Sequence, residues 1–157
     1  MKNINIFFLI ITVASLSSAR AGLDEATFFA GVSLGKTQAA IDAYYKPYRK
    51  TIAEMWHSGA LPGEHDFDLR TSMAEQQRRI YFSVRDSDKQ VVSVKYCKFS
   101  NYLHPVVQSF SPEEVARLTA ANKLSSDKLY SHSDVYDGDA ELEFASETEH
   151  AKQAENN

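Results

Sequence analysis

Cysteine occurs once in 157 residues, which excludes an internal disulfide framework and any cysteine-rich zinc site. Glycine (6) and proline (4) are scarce, so fibrous and low-complexity architectures are excluded as well. No charge of one sign dominates: 24% of residues are charged and the formal net charge is −4. Whole-chain disorder is thereby excluded, because 43% hydrophobic residues supply enough apolar surface to build a core. Long hydrophobic runs are lacking too. The one extended apolar stretch, residues 4–16, is well short of the roughly 20 residues a bilayer span needs. This length and composition suit one globular domain.

That stretch sits where export signals sit. Lys2 supplies a positive start, residues 4–16 an apolar middle, and Ala19 and Ala21 the small residues at −3 and −1 of a cut before Gly22. A cut before Arg20, with Ser17 at −3, fits the same rule. Residues 1–21 are therefore expected to be a signal peptide, leaving a mature protein without a stable membrane anchor, periplasmic or secreted. Cleavage would remove two bases and no acid. Of the remaining acids, eight fall in residues 134–157 against one base, Lys152. Residues 22–133 are then nearly balanced, with no basic excess to neutralise phosphates, so nucleic acid is not an expected partner.

The strongest periodic signal begins at Ile41. Ile41, Tyr44, Tyr45, Tyr48, Ile52, Met55 and Trp56 recur at helical spacing, with Asp42, Lys46, Arg49, Lys50 and Glu54 opposite. The reading is a long amphipathic helix whose aromatic stripe, Trp56 included, is buried core. Gly59 and Pro62 would end it, and Pro47 would kink or break it near residues 43–47. Residues 60–70 read as a loop, and 73–79 as a short polar helix. Residues 80–84 and 91–99 read as a β-hairpin around Asp86-Ser87-Asp88-Lys89. Burying Ile80, Phe82 and Val84 with Val92, Val94 and Tyr96 requires cross-strand partners whose numbers sum to an even value, hence an odd-length loop. Residues 106–110 are a candidate third strand. Ser111-Pro112-Glu113-Glu114 predicts a helix start: Ser as N-cap, Pro in the first turn, and Glu114 closing a capping box. The predicted fold is α+β: the long helix packed on a small antiparallel meander, a second short helix in a domain of residues 22–133, and a disordered acidic tail over residues 134–157.

Catalytic and metal signatures are sparse. The five histidines (His57, His65, His104, His132, His150) lack paired ligand spacing, and His65-Asp66-Phe67-Asp68 has no second half. An EF-hand begun at Asp137 fails, because Leu142 stands where glycine is required and Thr148 where the bidentate glutamate belongs. No metal and no cofactor is expected. Cys97, inside a strand, reads as a small half-buried apolar residue. The hairpin's outer face remains, carrying Arg79, Tyr81, Arg85 and Lys95 among Ser83, Ser93 and Cys97. These four are the candidate binding residues. The expected function is non-enzymatic binding of another exported protein, with an acidic surface favoured by the cationic face and the acidic tail as a competitor. The alternative is a small cell-envelope hydrolase using paired carboxylates in residues 64–75.

Overall fold

The computed structural model describes residues 22–58, 61–73, 76–101, 103, 105–125 and 127–156. The expected signal peptide lies outside the described residues. Among those described, no helix is long and apolar enough to cross a membrane. The fold is α+β: four α-helices and a six-stranded, wholly antiparallel sheet.

Two short helices come first among the described residues. Asp24 caps α1 (Glu25–Ala30) by accepting from Thr27 N–H at 2.7 Å, and Thr37 caps α2 (Gln38–Tyr45) by accepting from Ala40 N–H at 3.2 Å. Pro47 acts more strongly than a kink. The α-helix ends at Tyr45, passes into one 3₁₀ turn (Lys46–Tyr48), and does not resume. The long helix of the sequence reading is thus only its first half. Ile41 and Tyr45 are buried and Tyr44 and Tyr48 pack at the core's margin, so the stripe is core up to Pro47. Beyond it, β1 (Ala53–Ser58) is an edge strand, and helical spacing there was coincidental. Trp56 pairs in register with Phe67, while its side chain lies outside what is described.

The segment read as loop and polar helix forms two long strands, β2 (Glu64–Met73) and β3 (Gln76–Arg85). Phe67, Leu69 and Thr71 alternate with Asp66, Asp68 and Arg70, a period of two hidden under loop-like composition. The β3–β4 hairpin matches its predicted register: Ile80 faces Tyr96, Phe82 faces Val94 and Ser83 faces Ser93. A bulge between Ser83 and Val84 then brings Val91, not Val92, opposite Val84, so the turn closed by Arg85 N–H to Gln90 C=O spans residues 86–89, an even length in place of the expected odd one. β4 (Val91–Lys98) is followed by an irregular segment where a third strand was expected. Residues 106–110 pair with no strand; Gln108 N–H donates to Gly138 C=O at 2.7 Å instead. The capping box forms as predicted in α3 (Pro112–Ala121), with Ser111 Oγ accepting from Glu114 N–H and Glu114 Oε2 from Ser111 N–H.

The acidic segment is the largest departure. Residues 134–156 complete β5 (Leu129–Tyr136) and form β6 (Asp139–Ser146) and α4 (Glu147–Glu155), joined by an Asp137-Gly138 turn with both residues at positive φ. The sheet order is β1-β2-β3-β4-β6-β5, so β6 is interior. Its alternation explains why charge did not cause disorder: Ala140, Leu142 and Phe144 are buried while Glu141 and Glu143 point to the opposite face.

Helices α1, α2 and α3 cover one face. Phe28, Phe29, Val32, Ile41, Tyr45 and Leu118 pack there on Ile80, Phe82, Val94, Tyr96, Leu142 and Phe144. Asn122, fully buried, ties this layer to the sheet by accepting from Leu34 N–H at 2.8 Å and donating to Tyr96 Oη at 3.0 Å. Arg78 and Lys98 reach the same layer and pair with Glu25; Lys98 Nζ also lies 2.8 Å from Glu114 Oε1. Burial opposes ionisation of Glu114, yet hydrogen bonding with Glu25, Lys98 and Ser111 N–H holds its pKa near about 2.

Candidate functional site

The opposite face of the sheet is free of α1, α2 and α3. Register decides what it displays. Asp66, Asp68 and Arg70 of β2 stand beside Ser83, Tyr81 and Arg79 of β3. Those three neighbour Ser93, Lys95 and Cys97 of β4, which stand beside Ala145, Glu143 and Glu141 of β6. Tyr130, His132 and Asp134 of β5 complete the rows. In the central row acid, ring, base and acid follow one another as Asp68, Tyr81, Lys95 and Glu143, while the next row runs Arg70, Arg79, Cys97 and Glu141.

These side chains are mutually engaged. Ser83 Oγ donates to Asp66 Oδ1 at 2.6 Å, and Arg70 Nε donates to Asp68 Oδ2 at 2.7 Å. Arg79 donates to Gln77 Oε1 and Tyr81 Oη, both at 2.8 Å, and lies over the Phe99 ring. Lys95 Nζ sits 3.4 Å from Glu141 Oε2 and 5.8 Å from the Tyr81 ring centroid. Burial alone would lower the Lys95 pKa; Glu141 and Glu143 outweigh it, and the net shift is upward, favouring the ammonium. The floor is tightly enclosed: Asp68 is 1% exposed, and Cys97, fully buried, has its thiol pushed up to about 12 by burial and then by Glu141. Such a thiol is un-ionised at neutral pH and not a nucleophile.

A cleft of about 250 Å³ opens in this floor, lined by Asp66, Tyr81, Ser83, Ser93, Lys95 and Glu143. Helix α4 closes one end of the trough. His150 stacks on Tyr130 with ring centroids 3.5 Å apart, and Glu149 is buried beside Glu64. At the other end a cavity of about 660 Å³ reaches Arg79, Phe99, Tyr136 and Asp139.

Three of the four sequence-derived candidates, Arg79, Tyr81 and Lys95, come together at the centre of this trough. Arg85 does not join them. It lies at the α4 end and pairs with Asp88, Nη2 to Oδ2 2.7 Å. The four acids, Asp66, Asp68, Glu141 and Glu143, were missed as members of the face, which is not cationic but of mixed charge. The alternation in residues 140–144 was the available signal. Compared with protein-family models, with curated proteins and with solved structures, the chain finds no match.

Proposed function

We propose that the protein is an exported, non-enzymatic binding protein that engages another exported protein through the open trough of its sheet. The observation that carries this reading is the central row of the face, Asp68, Tyr81, Lys95 and Glu143, in which acid, ring, base and acid follow one another across four strands. The exposed pair there is exchangeable: Lys95 and Glu141 are 37% and 42% exposed, so a partner's carboxylate substitutes for Glu141 at Lys95, while buried Asp68 stays with Arg70. Such a face selects a partner by charge register. It favours a surface of mixed charge over a purely acidic one, since Glu141 and Glu143 repel the latter.

The test is affinity capture from the exported fraction, with wild type and with the Tyr81→Ala/Lys95→Glu double variant as baits. Capture of one protein by wild type, reduced at least tenfold by the variant at matched salt, is the expected result. Equal capture by both baits refutes this use of the trough. Intact mass of the exported protein should show a start at Gly22 or Arg20, and a mass retaining Met1 would refute export by cleavage. A second reading, hydrolysis by paired carboxylates, is favoured by one observation: Asp66 and Glu143 line the same cleft. Turnover of an envelope polymer by wild type, lost in Asp66→Asn, would establish it in place of the first.

A further inference from the structure

The outer edge of β5 is open among the described residues. β5 pairs with β6 on one side and with no strand on the other among the described residues. Ser131 to Tyr136 are all exposed, including Val135 at 51% and Tyr136 at 75%. Most usual protections of an edge are missing: the strand contains no lysine and no proline, its one charge is Asp134, and its register with β6 runs unbroken from Leu129 to Tyr136.

The direction of its backbone groups follows from both ends of the hairpin. Asp137 and Gly138, both at positive φ, form a two-residue turn that makes Tyr136 and Asp139 a hydrogen-bonded pair. At the far end Glu147 N–H donates to Lys128 C=O at 2.9 Å. Even-numbered residues therefore bond to β6, and Ser131, Ser133 and Val135 turn their amides and carbonyls outward. The Val135 amide confirms this, since it donates at 2.8 Å to the side chain of its own neighbour, Asp134 Oδ1, not to a strand.

We propose that this edge is the interface with a second copy of the chain, pairing antiparallel about a two-fold axis at Ser133. In that register Ser133 faces Ser133 of the second copy, Ser131 faces Val135, His132 faces Asp134, and Tyr130 faces Tyr136, each unlike pair occurring twice. The outward amides and carbonyls meet at Ser133 and at the two Ser131–Val135 pairs. His132 and Asp134 fall at the closely spaced non-hydrogen-bonded positions, where the imidazole donates to the carboxylate. The one charge that would repel a copy is thereby given a donor. The adjacent register, centred on His132, sets two imidazoles against each other. Tyr130, His132, Asp134 and Tyr136 all lie on the trough face, so pairing joins the two troughs into one continuous surface. A contact of one strand from each copy is small, and the dimer is concentration-dependent.

The register is tested with full-length mature protein. Ser133→Cys places a thiol opposite itself across the axis, at a Cα separation of about 5.5 Å for such a pair, within disulfide range. Mild oxidation should convert this variant to a covalent dimer, while Ser131→Cys, whose mate is Val135, should cross-link at least tenfold more slowly. The native Cys97 is fully buried and adds no background. Sedimentation of wild type should show the mass rising towards twice the monomer across the micromolar range. Ser133→Pro, which removes an outward amide and no bond to β6, should keep its circular dichroism and remain monomeric. A monomeric wild type at all these concentrations overturns the proposal. So does equal cross-linking at positions 131 and 133, or an edge filled only when a different protein is added.

Discussion

Gly31 shows how much one residue carries in this small core. A Cβ built there would fall 2.1 Å from the ring of Tyr45, whose side chain is buried and whose hydroxyl donates to Phe28 C=O. Gly31 has φ −73°, so backbone strain is not the issue; the close approach of α1 to α2 is. Gly31→Ala is expected to destabilise by roughly 1–3 kcal/mol through displacement of that ring. Adding Tyr45→Leu, which removes the ring, should restore part of the loss. Urea midpoints of the two single variants and the double variant measure this coupling; strict additivity would show that the ring does not bear on Gly31.

Among the elements, α4 is held by an unusual contact. Ser146 caps the helix by accepting from Glu149 N–H at 3.0 Å, and the Glu149 side chain turns inward against Glu64 of β2. Burial, then the hydrogen bond with Glu149 and its charge, push the Glu64 carboxyl up to about 7, with Asp66 adding to the shift and Lys152 opposing it. Arg85 also faces both carboxylates. Buried Glu149 Oε1 has no hydrogen-bond partner among the described residues, and the proton kept by Glu64 supplies the donor for the bond between the two carboxyl groups. The folded pKa lies above the ordinary glutamate value of 4.5. The contribution to docking is therefore complete below that value and is lost as pH rises through about 7. Amide exchange in α4, corrected for its intrinsic pH dependence, should accelerate from pH 6 to pH 8 in wild type. Glu64→Gln, which retains a donor at all pH values, should remove that dependence. Identical acceleration in the variant would exclude the shared proton.

For the molecule as a whole, the acidic C-terminal segment is structural. Deleting residues 134–157 removes interior β6, the last three residues of β5 and all of α4, together with Leu142 and Phe144, 2% and 0% exposed. The truncated chain is expected to lose its native near-ultraviolet dichroism. The milder Phe144→Ala should cost about 3–5 kcal/mol in chemical denaturation. A truncation that unfolds with the wild-type midpoint would return the segment to the status of a solubilising tail. The electrostatic pairing foreseen between that tail and Lys95 does exist, as Lys95 to Glu141, but as a fixed contact between adjacent strands.

What the sequence by itself determined is what local rules govern. The Ser111 capping box, the break at Pro47, and the pairing of the β3–β4 hairpin from Ile80 to Ser83 depend on residues a few positions apart and took the form those rules dictate, whereas the bulge at Val84 changed the parity of the turn. An α+β domain with Arg79, Tyr81 and Lys95 on one strand face was legible for the same reason. Only the tertiary structure decided the rest. Residues 64–73 and 139–146 carry as many charges as loops do, and become strands because distant neighbours bury alternate side chains: Phe67 stacks on Phe82, and Phe144 packs on Tyr96. The composition of the trough followed from that. Asp66, Asp68, Glu141 and Glu143 reach Lys95 and Arg79 through strand order and register, and strand order is set by which long-range pairings bury the most apolar surface, not by any spacing along the chain.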